Sequence, residues 1–200
     1  MRILNAEFLK RIVDHTERRF CQMLEVGFIG RSNVGKSSLI NCLLLRKLAR
    51  TSSSPGATKT INLYKAEYEY RGKKSVMIIS DFPGFGYTRI SKSIYEGWER
   101  MIDSYVQNNP LLKRLIWVFD VRRNFDELDS LALSWLNLRN IPFSFAVNKI
   151  DKVSKSELAI RRREFEKLLG TVPVFFVSAK DRTGRKELLY HIGDVISRPS

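Results

Sequence analysis

Gly30-Arg31-Ser32-Asn33-Val34-Gly35-Lys36-Ser37 is a complete G-x-x-x-x-G-K-[ST] run, and its surroundings decide how the chain folds. An apolar run with Val26, Phe28 and Ile29 enters it, and a helix-like run from Ser38 through Leu45 leaves it. Strand, glycine-rich turn and helix together cradle phosphate, because the first helical amides point at the anion. Gly30 and Gly35 let the backbone wrap close to a β-phosphate. Lys36 reaches the β/γ oxygens, and the Ser37 hydroxyl is suited to Mg²⁺. Arg31, Ser32, Asn33, Val34 and Ser38 complete the predicted nucleotide-contacting run. By average composition the pattern arises by accident in roughly one per cent of chains this long. The competing reading is a glycine-rich turn without a ligand.

Asn148-Lys149-Ile150-Asp151 names the base. It follows the apolar run 141–147, at the end of an expected strand. An ionised Asp is acceptor-only and can take two donors from the N1–H and N2–H₂ edge of guanine. Adenine has no amino group at that edge, and a site built for such bonds rejects a base without them by on the order of several kcal/mol. The Lys149 stem can pack over the base, and Asn148 can tie this loop to the phosphate loop. Ser178-Ala179-Lys180, at the end of the apolar run 172–177, can offer a backbone amide to the guanine carbonyl.

Asp81-Phe82-Pro83-Gly84 lies between these motifs, after the apolar run 76–79. An Asp at a strand end can hold Mg²⁺ through water, and the Gly84 amide can meet a γ-phosphate. Upstream, Ser54-Pro55-Gly56-Ala57-Thr58 sits in a polar stretch read as a mobile loop. Thr58 is the candidate hydroxyl that closes on Mg²⁺ only with a γ-phosphate present. Five elements in this order imply hydrolysis of GTP. The catalytic candidates are Lys36, Thr58, Gly84 and Asn33; the metal candidates are Ser37, Thr58 and Asp81. Phe85 stands where many GTPases carry a water-orienting Gln, and it cannot hydrogen-bond a water. Arg31 and Arg89 are cations near the site, and His15 and His191 have no motif around them.

Apolar runs at 24–29, 61–70, 75–80, 115–120, 143–147 and 172–177 read as strands. Helical patterns cover about 36–48, 94–108, 127–139, 154–169 and 185–197. Arg71-Gly72-Lys73-Lys74 makes a tight turn, so the second and third strands are antiparallel. The rest need helical crossovers and run parallel. The expectation is an α/β three-layer fold of the P-loop GTPase (Ras-like) kind. Its six-stranded, mostly parallel sheet has one antiparallel strand and carries ligands at the strands' carboxyl ends. Residues 24–200 form the single GTP-binding domain, and 1–23 are read as a short amphipathic N-terminal helix or extension.

Two hundred residues with 44% hydrophobic content can bury one sizeable core. Cys21 and Cys42 lack metal or disulfide-framework spacing, which suits a reducing compartment. Acids at Glu7, Asp14 and Glu17 argue against a transit peptide, and no lipid-anchor or membrane-spanning signal stands out. A monomer in the bacterial cytoplasm, away from membranes, is expected. The net charge of +14 exceeds what solubility requires. It suits a polyanion bound through phosphates, although any one basic group can equally be solvated surface. The groups are Arg71 to Lys74, Lys113-Arg114, Arg122-Arg123, Arg161 to Arg163 and Arg182 to Lys186.

The wording of Gly30 to Asn41, Pro55 to Asn62 and Asp81-Phe82-Pro83-Gly84-Phe85-Gly86-Tyr87 resembles the EngB (YihA/YsxC) family of ribosome biogenesis GTP-binding proteins. That family belongs to the TrmE–Era–EngA group. The resemblance extends through Trp98, 127–138, Ile141-Pro142-Phe143 and 152–158. Ala57-Thr58-Lys59 stands where the family usually has Arg-Thr-Gln, and Asn148 where it often has Thr. The resemblance implies GTP and GDP as ligands, Mg²⁺ as cofactor and ribosomal RNA on the assembling large subunit as partner. It also implies a part in cell division and septation. In related GTPases an Asn at the place of Asn33 helps hold K⁺; here a plain turn residue is the equal alternative. A hydrophobic residue at Phe85 implies slow unaided hydrolysis. A signalling switch acting through a protein effector shares the same nucleotide motifs. A phosphate-loop kinase is disfavoured, because N-K-x-D has no job in one.

Overall fold

The computed structural model describes residues 1–12, 22–50, 60–85 and 102–197. The strands are β1 (Arg2–Ile12), β2 (Glu25–Gly30), β3 (Ile61–Tyr70), β4 (Lys73–Asp81), β5 (Leu112–Asp120), β6 (Phe143–Asn148) and β7 (Val174–Phe176). Between them lie α1 (Lys36–Leu44), α2 (Glu127–Leu138), α3 (Lys155–Leu169) and α4 (Arg185–Ser197). Residues 102–107 are also helical, and Ile150–Lys152 make a 3₁₀ turn.

One seven-stranded sheet runs β1-β3-β4-β2-β5-β6-β7. β3 pairs antiparallel with β1 and β4. Every other pairing is parallel, so β3 alone runs against the other six strands. The hairpin joining β3 to β4 turns on Arg71 (φ 49°) and Gly72 (φ 77°), the left-handed pair of a two-residue turn.

β5 shows why the chain makes layers. Leu115, Trp117 and Phe119 belong to one apolar cluster, and Ile116 and Val118 to the other, as the period of two requires. The first cluster packs beneath α2 and α3 through Trp135, Leu136 and Phe165. The second takes Leu39 and Leu43 from α1 and Leu188 and Ile192 from α4. Phe119, Phe145 and Phe165 meet with centroids 5.3–5.6 Å apart, an arrangement that adds to their area burial. Reciprocal capping boxes start α2 (Asp126 with Asp129) and α3 (Ser154 with Glu157).

The expectation of six strands is corrected to seven, and residues 2–12 form a strand, not a helix. A register shift between Phe8 and Lys10 breaks the alternation, so Ala6 and Ile12, both at even positions, pack into opposite apolar clusters. Pairing with the whole length of β3 decides the conformation, and the local pattern does not contain it. α1 stops at Leu44, short of the expected 48, because Leu45 turns left-handed (φ 55°). The helix expected at 94–108 lies partly outside the described residues; 102–107 are helical.

Candidate functional site

The ends of β2, β4, β6 and β7 deliver the four described motif loops to one edge of the sheet. Gly30 (φ 153°) and Gly35 (φ 92°) shape the phosphate loop. A Cβ on Gly30 would lie 2.4 Å from the Val118 carbonyl oxygen, and one on Gly35 2.5 Å from Asn148 Nδ2. Both positions exclude any side chain. α1 begins at Lys36 with no side-chain cap, so its first amides are left for another acceptor.

Asn148 joins three loops. Its Nδ2 donates to the Val34 carbonyl at 3.0 Å, and its Oδ1 accepts from the Ala179 amide at 3.2 Å. Lys149, itself left-handed (φ 64°), donates from Nζ to the Asn33 carbonyl at 2.6 Å. Ser178 Oγ donates to Asp151 Oδ1 at 2.8 Å, which fixes the carboxylate at the mouth of the base loop. Ser37 Oγ donates to Asp81 Oδ2 at 3.0 Å, and Lys36 Nζ forms an ion pair with Asp81 Oδ1. The 82–85 loop lies against the phosphate loop: the Ser32 amide donates to the Phe85 carbonyl at 3.1 Å. A Cβ on Gly84 would come within 2.9 Å of the Ser32 nitrogen.

Several candidates have only backbone to offer. The side chains of Val34, Phe82 and Ile150 are buried in the core. Phe85 is 2% exposed and sits edge-on to Trp117, so it belongs to the core. Arg31 turns away from the loop to an ion pair with Asp126. Asn33 and Lys180 are exposed, while Ser38 and Ala179 are half-buried. His191 Nε2 lies 2.7 Å from Ser144 Oγ, remote from the motif loops in the α4 layer. Gly56, Ala57, Thr58, His15 and Arg89 lie outside the described residues.

One residue at the site, and two at the far end of α1, went unread in the sequence. Asp120, buried at the end of β5, accepts from Lys149 Nζ at 2.9 Å and from Arg122 Nη2 at 2.7 Å. Burial opposes its charge, but the Arg122 and Lys149 hydrogen bonds outweigh that and hold the carboxyl at about 2. Its signal was present: an Asp closing an apolar strand, as Asp81 does. Asn41 binds the 48–49 backbone through Oδ1 and Nδ2, at 2.8–2.9 Å. Arg185 donates to the Cys42 and Leu43 carbonyls at 2.8 and 2.7 Å, closing the end of α1. Neither Asn41 nor Arg185 has a local sequence signal, since their partners are backbone groups.

Comparison with known proteins agrees with this geometry. The family described as 50S ribosome-binding GTPase matches residues 25–149. The "Probable GTP-binding protein EngB" of Pelotomaculum thermopropionicum is 38% identical over 197 residues, covering 96% of each chain. A crystal structure of a probable GTP-binding protein engB superposes with TM-score 0.62 at 29% identity, over 86% of this chain and 98% of that one. Aquifex aeolicus Era shares the fold with TM-score 0.71 at 22% identity, over 88% of this chain and 57% of Era. With its motif loops gathered at one sheet edge and the Pelotomaculum EngB relative matched over nearly the whole of both chains, the chain belongs to the EngB family of GTP-binding proteins.

Proposed function

We propose that this chain binds and hydrolyses GTP as an assembly factor for the large ribosomal subunit, and that normal cell division and septation depend on it. The observation that carries the nucleotide reading is Asn148, which joins the phosphate loop at Val34 to the base loop at Ala179. In this reading Asp151, held by Ser178, accepts from the guanine edge, and the Lys149 stem covers the base. Lys36 and the amides of the phosphate loop from Asn33 to Ser38 bind phosphate. Gly84 and Thr58 sense the γ-phosphate from either side.

The donors present fit Mg²⁺: a hydroxyl from Ser37 beside a carboxylate from Asp81, hard oxygens few in number, as an ion that keeps several waters prefers. Ser37 and Thr58 would hold it and Asp81 would order its waters. When bound, the ion neutralises charge on the phosphate oxygens. The exposed Asn33 offers an amide oxygen that suits K⁺. The burial of Phe85 takes it out of any role in orienting water, in keeping with slow unaided turnover. The ribosomal part of the reading is supported by the description of the matching family and by the net charge of +14. The work site is the bacterial cytoplasm, and the active form a monomer.

Sedimentation of purified protein with large ribosomal subunits tests both halves. The protein should travel with the subunits when loaded with a non-hydrolysable GTP analogue, and stay near the top of the gradient with GDP. Failure to bind either guanine nucleotide removes the nucleotide reading. Sedimentation that ignores nucleotide removes the assembly-factor reading.

A further inference from the structure

The chain carries no Asp or Glu between Glu25 and Glu67, and the fold spends part of that stretch on one surface. Asn41 folds the segment after α1 back on the helix, so Arg46, Lys47 and Arg50 surround its end. Arg185, through its bonds to Cys42 and Leu43, brings the start of α4 to the same place with Arg182 and Lys186. Arg46, Lys47, Arg50, Arg182 and Lys186 are all exposed, and none forms an ion pair among the described residues. The nearby acids are few. Asp181 is engaged by the Thr183 amide at 3.0 Å, and Glu187 lies in the first turn of α4.

This arrangement works against the isolated fold. Burial, and further the charge of Arg182, push the Arg185 guanidinium below its ordinary value. Cations at the start of α4 also oppose the helix dipole, which favours acids there by about 0.3–1 kcal/mol each. Charges gathered without counter-ions, against local preference, are the footprint of a polyanion.

We propose that Arg46, Lys47, Arg50, Arg182 and Lys186 form a docking surface for the phosphate backbone of RNA. The inference rests on the ribosomal reading above and names the surface that serves it. The patch ends in sequence at Arg50, just before the segment that carries Thr58, and begins on the other side just after Lys180. Docking there lies next to both the γ-phosphate-sensing segment and the base loop in the chain.

The test is pelleting of the analogue-loaded protein with purified large ribosomal subunits, from about 50 to 200 mM salt. The triple variant Arg46→Ala, Lys47→Ala, Lys186→Ala should bind at least tenfold more weakly. Its log-affinity slope against log salt should be shallower by about 2–3, one step per lost phosphate contact. Arg46→Lys, Lys47→Arg, Lys186→Arg should bind as the parent does, and GDP affinity should be unchanged in both. Triple alanine substitution at Arg161, Arg162 and Arg163 should have under a threefold effect. Parent-like binding by the first variant overturns the surface while leaving the ribosomal reading intact. A parent chain that does not pellet overturns both. Binding to phosphatidylglycerol vesicles but not to subunits assigns the patch to membranes and overturns the proposal.

Discussion

The Asp120 carboxylate holds the Lys149 ammonium at 2.9 Å, and that same ammonium reaches the Asn33 carbonyl at 2.6 Å. The end of β5 therefore positions the lysine that spans from the base loop to the phosphate loop. Arg122 shares the carboxylate, so its charge is met from two sides.

Asp120→Asn should weaken GDP binding by roughly three- to tenfold, the range of one ordinary hydrogen bond, because Asp120 reaches the base loop only through Lys149. It should also lower stability in a defined pH window. The folded-state value of about 2 lies below the unfolded 3.8, so the ionised carboxylate stabilises the fold above pH ~4. That contribution, on the order of 2 kcal/mol, is lost as pH falls from about 4 towards 2. Urea unfolding of parent and variant should differ at pH 7 and converge at the lowest pH. An unchanged gap across the window would remove Asp120 as the charged anchor.

Asp151→Asn should exchange guanine for xanthine nucleotides, because an amide presents a donor where xanthine presents a carbonyl. Ser178→Ala should weaken guanine nucleotide binding by about tenfold, since Asp151 loses its 2.8 Å donor. It should leave the preference for guanine over xanthine in place. Competition between labelled GDP and XDP reads both outcomes. Guanine affinity that survives Asp151→Asn would take this residue out of the base site.

The parallel half of the fold was legible because its signals are local. β2, β5 and β6 are apolar runs ended by Gly30, Asp120 and Asn148, and Arg71-Gly72 announces the hairpin. β1 was illegible because its conformation comes from β3, about fifty to seventy residues away, and its two register shifts interrupt the alternation by which a strand is read. The same division runs through the site and the helix that leaves it. Gly35, Lys36 and Asn148 stand in motifs that phosphate and base geometry dictate. Asn41, Asp120 and Arg185 act on groups brought near only by folding, and side-chain-to-backbone contacts leave no spacing rule to read.

Phe85 and Asn33 separate core from chemistry. Phe85→Ala should lower stability by about 3–5 kcal/mol, because the ring is buried against Trp117. Phe85→Leu keeps most of the volume and should retain GTP turnover in a protein that stays folded. If Asn33 supplies an oxygen to K⁺, turnover should be faster in potassium than in sodium at equal ionic strength. Asn33→Ala should erase that difference with GDP binding largely kept. Equal rates in the two salts would leave Asn33, at φ 66°, as a turn residue alone.

Asp129 ties pH to the phosphate loop through Arg31. Its side chain is fully buried at the start of α2, with Arg123 Nη2 at 3.3 Å, Arg31 Nη1 at 3.8 Å and Oδ1 without a hydrogen-bond partner among the described residues. Burial is the main cause that raises its carboxyl to about 6, and the adjacent Asp126 adds to it. Because the folded value lies above the unfolded 3.8, the native state holds the extra proton between the two. Stability therefore falls as pH rises from about 4 to 6, by on the order of 2–3 kcal/mol from this group. Asp129→Asn should flatten the stability profile across that interval, since an amide keeps the capping shape without the charge. Thermal unfolding at half-unit pH steps measures it. An Asp129→Asn profile as steep as the parent's would place the titration elsewhere and leave Arg31 with a purely structural partner.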